Sequence, residues 1–71
     1  MMGEKKTMTL NLSEEEMESL EQLADRNDLT KTAVIKKAIR IYLLLEKRLQ
    51  NGEHLYVEDA EHKVKVELLL V

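Results

Sequence analysis

Three side chains that hydrogen-bond readily recur at every second position near the start of the chain: Thr7, Thr9 and Asn11, within KKTMTLNL at residues 5–12. Lys6, Met8, Leu10 and Leu12 take the alternate positions. In an extended strand this alternation sends Met8, Leu10 and Leu12 to one face, suited to packing, and two hydroxyls and a carboxamide to the other. An asparagine carboxamide can pair bidentately with adenine, and a threonine can donate, accept or touch a thymine methyl. The plainer account is that threonines favour strands and face water. A short strand at the start of a chain also has nothing nearby to pair with, so its partner has to come from elsewhere.

A second candidate is the stretch Thr30-Lys31-Thr32. If a helix starts here, its unpaired N–H groups and dipole make an anion site, beside a lysine. Capping by Thr30 is compatible with that role. Two other groupings are weaker. His54 and His62, near Glu58, Asp59 and Glu61, have a spacing that defines no metal geometry, and a polar turn accounts for them. Glu14, Glu15, Glu16, Glu18 and Glu21 form a catalytic cluster only by count: they fall on a solvated helix face and nothing supplies a pocket. No nucleophile stands beside a base, so the sequence argues against an enzyme, and it implies no cofactor and no metal.

The elements that must position these residues are legible from caps and periodicity. Ser13 is an N-cap, and Glu16 completes a capping box. Acids at 14, 15 and 16 suit the positive end of a helix dipole. Met17, Leu20, Leu23 and Ala24 make one apolar stripe, predicting a helix over residues 14–26. Asn27-Asp28 ends it, since both residues tolerate the left-handed conformation. Thr30 caps a second helix over residues 31–50, whose apolar positions are Val34, Ile35, Ala38, Ile39, Ile41, Tyr42, Leu45 and Leu49. That stripe is too wide for one short partner helix and calls for a second copy. Asn51-Gly52 stops this helix. Leu55–Val57 and Lys63–Glu67 then read as strands, with Asp59–His62 as the turn between them.

Composition narrows the field. The chain has 71 residues and no cysteine, so it is one small domain that no disulfide can staple, and association is the remaining source of stability. No apolar run approaches a membrane span or a signal-peptide core, which predicts a cytoplasmic protein with no membrane partner. Its only aromatics are two tyrosines, too few for base-stacking surfaces. The net charge of −3 conceals segregation: residues 13–28 hold seven acids against Arg26, while residues 29–50 hold Lys31, Lys36, Lys37, Arg40, Lys47 and Arg48 against Glu46. A basic face can bind phosphate on a molecule that is acidic overall.

The run KKTMTLNLSEEEMESLEQLADRNDLTKTAVIKKAIRIYL resembles the ribbon-helix-helix DNA-binding repressors, the CopG, Arc and MetJ kind, over residues 5 to about 48. The most specific parts are the alternating strand and the Leu29-Thr30-Lys31-Thr32-Ala33 helix start. The resemblance implies an α+β fold, mostly α: a ribbon-helix-helix homodimer with an added C-terminal β-hairpin. Residues 1–50 form the DNA-binding and dimerisation part, and residues 51–71 the hairpin extension. Two chains pair their first strands into an antiparallel ribbon that enters the major groove of double-stranded DNA.

Carried over by position, the base-reading residues are Thr7, Thr9 and Asn11, and the phosphate clamp is Thr30, Lys31 and Thr32. Lys5 and Lys6 join as phosphate contacts. Met8, Leu10, Leu12, Val34, Ile35, Ala38, Ile39 and Tyr42 form the expected dimer core. Family members usually have glycine where Asp28 stands, and Asp28 brings negative charge near the clamp. The expected function is sequence-specific repression by covering an operator.

Another class of function competes: an antitoxin or interaction module whose residues 53–71 bind a partner protein. A third arrangement has the first strand pairing with residues 63–71 inside one chain. The run Leu68-Leu69-Leu70-Val71 is apolar on both strand faces, so something must cover the second face. The candidates are the same dimer, a neighbouring dimer on DNA or a foreign protein.

Overall fold

The computed structural model describes residues 3–69. Helix α1 spans Glu14–Asn27. Ser13, in extended backbone, accepts from the Glu16 amide at 3.1 Å, and the Glu16 carboxylate accepts from the Ser13 amide at 2.9 Å. Both halves of the capping box are present, so the helix starts where two orphan donors are satisfied. At its other end Asp28 takes the left-handed conformation, φ 54°, ψ 47°. The Asp28 amide donates to the Asp25 carbonyl at 3.3 Å and the Leu29 amide to that of Ala24 at 2.9 Å, which closes the last turn as a Schellman motif. The role usual for glycine falls here to an aspartate.

Helix α2 spans Lys31–Gln50. The Thr30 hydroxyl accepts from the Ala33 amide at 3.1 Å, and the Thr30 carbonyl from the Val34 amide at 3.0 Å. Its end is a second Schellman motif, with Gly52 at φ 84° donating to Leu49 at 3.0 Å and Glu53 donating to Arg48 at 3.1 Å. Only glycine adopts that backbone without strain.

Strand β1, Leu55–Asp59, pairs antiparallel with strand β2, Val64–Leu68, as a two-stranded sheet. The strands differ from expectation by one or two residues, because Asp59 belongs to β1 and Lys63 to the turn. Asp59 Oδ1 accepts from the amides of Glu61 and His62 at 2.9 and 3.4 Å, which folds the chain back. Lys63 completes the turn at φ 57°. Leu70 and Val71, part of the expected apolar end, lie outside the described residues.

The compact units of the chain divide between Val34 and Ile35, inside α2. Among the described residues only Ala24 and Val34 are buried. They flank the turn between the helices, so this elbow is where the first unit has its core.

One expected arrangement is not adopted by the chain by itself. Among the described residues, 3–12 form no strand and do not pair with residues 63–69: β2 is paired with β1 alone. The reason is that a strand exists through its partner's hydrogen bonds, and this segment has none here. Tyr42 is 58% exposed within the chain, Ile39 59% and Met8 77%; the core expected of them is one between two chains.

Candidate nucleic-acid interface

The residues singled out for base and phosphate contact all fall in the first unit. Lys5, Lys6, Thr7, Thr9 and Asn11 are exposed, as are Thr30, Lys31 and Thr32. The structure brings the last three together at the N-terminus of α2. Thr30 is engaged in capping the Ala33 amide. The amides of Lys31 and Thr32, in the first turn, donate to no acceptor among the described residues. Two free N–H groups with the positive end of a helix dipole behind them favour an anion. Lys31 stands beside them.

Lys31 is not free. Its ammonium lies 3.1 Å from the Glu21 carboxylate of α1, with both side chains about half exposed. The sequence alone places Glu21 among the acids of a solvated face. The missed signal is its place: it stands one turn before Ala24, on the flank of the stripe that turns toward the elbow. Asp28 stays exposed at the same elbow. Two charges therefore meet at the start of α2, with a third, negative one three residues before Lys31 in sequence.

The structure does not bring the N-terminal segment into the same order. Thr7, Thr9 and Asn11 make no hydrogen bond among the described residues, and Met8 and Leu10 remain exposed on the alternate positions, with Leu12 half-buried. Of the expected dimer core, Val34 is buried and Ile35 half-buried, while Ala38, Ile39 and Tyr42 are exposed.

The second unit holds the other weighed groupings. His54 Nδ1 lies 2.8 Å from Glu67 Oε2, and His62 Nδ1 lies 2.7 Å from Asp59 Oδ2. Each imidazole is held by one carboxylate, and no group of three metal-ligating side chains occurs among the described residues. The bond from His62, and then the amides of Glu61 and His62, hold the Asp59 carboxyl below its ordinary value. A cleft of about 220 Å³ lies between Leu45, Arg48 and Leu49 of α2 and Glu53, His54 and Leu55. Arg48 and Glu53 bridge its rim at 3.1 Å. No helix among the described residues is long and apolar enough to cross a membrane.

A family model described as the ribbon-helix-helix protein, CopG family, matches residues 6–46. That span takes in the alternating segment, α1, the elbow and most of α2, and ends before the hairpin. No match was found among curated proteins or among solved structures.

Proposed function

The chain belongs to the CopG family of ribbon-helix-helix proteins, whose members are in general DNA-binding transcription regulators or antitoxins rather than enzymes, and from that premise we propose that it is a cytoplasmic transcriptional repressor. It acts as a homodimer. Residues 6–12 of two copies pair into an antiparallel ribbon that enters the major groove. Thr7, Thr9 and Asn11 read base edges, and the start of α2, with Thr30, Lys31 and Thr32, holds the flanking phosphates, aided by Lys5 and Lys6.

The observation that carries this reading is the elbow: an exposed helix N-terminus with two unpaired amides and a lysine, in the same unit as an exposed, alternating segment that lacks a partner. Met8, Leu10, Ile39 and Tyr42, exposed in one chain, supply the surface that dimerisation buries. Phosphate contacts set affinity and register, and the ribbon's polar face sets sequence.

The test is selection of bound duplexes from a random pool at fixed salt. Recovery of one inverted-repeat motif supports the reading. Recovery of unselected sequence, with no motif enriched, overturns it.

A second reading is an antitoxin role in which the hairpin binds a partner protein. It is favoured by the exposed apolar side chains Val57, Val64 and Val66. Co-purification of a stoichiometric partner that is lost on deleting residues 53–71 distinguishes it.

A further inference from the structure

The hairpin has two open edges, and they differ in what they can pair with. Every residue of β2 is exposed. The register sets Leu55, Val57 and Asp59 against Leu68, Val66 and Val64 on one face, and Tyr56 and Glu58 against Glu67 and Lys65 on the other. The first face is apolar apart from Asp59. A lone two-stranded ribbon with a bare apolar face is marginal in water, and an open apolar edge attracts another strand.

The sequence of β2 is complementary to itself in reverse. Laid antiparallel to a second copy about a twofold axis at Val66, it sets Val66 against Val66, Val64 against Leu68, and Lys65 against Glu67. The apolar pairs fall on the apolar face and the opposite charges on the polar face, the arrangement that stabilises cross-strand neighbours. Moving the axis by one residue sets lysine against lysine or glutamate against glutamate. β1 has no equivalent register. An axis at Val57 sets Leu55 against Asp59, an axis at Glu58 joins like charges, and an axis at Tyr56 sets Glu53 against Asp59.

The geometry points to β2 as a self-pairing edge, through which two copies of the chain join into a four-stranded antiparallel sheet ordered β1-β2-β2-β1. The apolar faces of both hairpins then lie on one side. On the other side Lys65 sits between Glu58 of its own chain and Glu67 of the second copy, so charges alternate across the sheet. Lysine on an edge strand usually discourages pairing; here the opposing glutamate cancels that effect in one register only. This interface lies beyond the residues matched by the family and does not depend on the DNA-binding reading.

Cysteine trapping tests it, because the chain has no cysteine of its own. Directly opposed residues in an antiparallel pair have Cα atoms about 4.5–5.5 Å apart, within disulfide range. Residues one step from the axis meet their own copies at roughly 8 Å, out of range. Full-length Val66→Cys, oxidised without DNA, is expected to convert mostly to a disulfide-linked pair of chains. Lys65→Cys and Glu67→Cys are each expected to stay unlinked alone and to link when mixed before oxidation. Val57→Cys, on β1, stays unlinked. If Val66→Cys fails to link while its circular dichroism matches the parent, the proposal is overturned, and self-linking of Lys65→Cys overturns it as well. Should Val66→Cys perturb folding, the mixed pair decides alone: linking supports the register and its absence refutes it. DNA binding is measured separately on the reduced variants, so loss of that function with linking intact removes the functional reading and leaves this edge standing.

Discussion

The ammonium of Lys31 lies 3.1 Å from the carboxylate of Glu21, so the cation at the start of α2 is already paired within its own chain. An exposed pair of this kind contributes roughly 0.2–1 kcal/mol, because water screens both partners. It is therefore a weak brace for the elbow and a real competitor for a phosphate. Replacing Glu21 by Gln frees Lys31 and removes a negative charge from the interface. Affinity for DNA of any sequence is expected to rise by up to about fivefold, equivalent to about 1 kcal/mol. Filter binding at a series of salt concentrations checks this, and weaker binding by the variant on random duplexes overturns it.

Base reading and phosphate holding separate by their salt and sequence profiles. Asn11→Ala is expected to cost about 1–3 kcal/mol per contact on the selected site with little loss on random duplex. Lys31→Ala is expected to weaken both alike and to flatten the salt dependence by about one unit of slope. Identical profiles for the two variants contradict the assignment of roles.

Asp28 carries a left-handed backbone at φ 54° and closes α1. A side chain in that region meets the following carbonyl oxygen, a clash that glycine avoids, although aspartate tolerates it better than most residues. Glycine also has more freedom to lose on folding, which offsets part of the gain. Asp28→Gly is thus expected to raise stability modestly, by about 0.5–1 kcal/mol, read as a higher denaturation midpoint. It also removes a negative charge near Lys31, so DNA binding is expected to strengthen in parallel. A lower midpoint contradicts the account of the cap.

Where the determinants were local, the sequence displayed them. Ser13 with Glu16, Thr30, Asp28 and Asn51-Gly52 each act within a few residues of themselves, and α1 and α2 begin and end at these positions. The hairpin is legible in the sequence, but its turn lies at residues 60–63, one residue later than the pattern Asp59–His62 implies. Lys63 sits at φ 57° with nothing in its side chain to announce it. Glu21 could not be paired with Lys31 from sequence, since that contact depends on the angle of the elbow. The N-terminal alternation is a pattern in sequence, but a strand is a property of two segments, and one chain supplies one of them. The family match over residues 6–46 covers the part of the chain where local signals were densest.

The turn of the hairpin should respond to acid through Asp59. Its carboxylate accepts from His62 at 2.7 Å and from the Glu61 amide at 2.9 Å, which hold its pKa below the ordinary value. A depressed carboxyl pKa means that the folded turn favours the ionised form. The resulting stabilisation is present above the unfolded pKa and is lost as pH falls through the lowered one. Acid titration followed by the chemical shifts of residues 59–63 is expected to show the turn loosening only below the ordinary carboxylate range. In Asp59→Asn, which keeps an acceptor but no charge, this transition is expected to vanish. An Asp59 that titrates at or above its ordinary value overturns the prediction.

Folding itself should depend on concentration. A chain of 71 residues without cysteine has only its core to offset the loss of conformational entropy, and among the described residues that core within one chain is Ala24 and Val34. Meanwhile Ile39, Ile41, Tyr42 and Leu44 on α2 stay 48–59% exposed. Burying them against a second copy supplies the missing apolar area, and the same event gives the N-terminal segment its strand partner. Because association stabilises only the folded form, the denaturation midpoint is expected to rise with protein concentration. Ile39→Asp, which places a charge in the expected interface, is expected to abolish cooperative unfolding at micromolar concentration, whereas a substitution at exposed Glu18 leaves it unchanged. Light scattering alongside circular dichroism decides the matter. A folded species of single-chain mass, with a midpoint that does not move on dilution, rules out the dimer as the folding unit and with it the intermolecular ribbon.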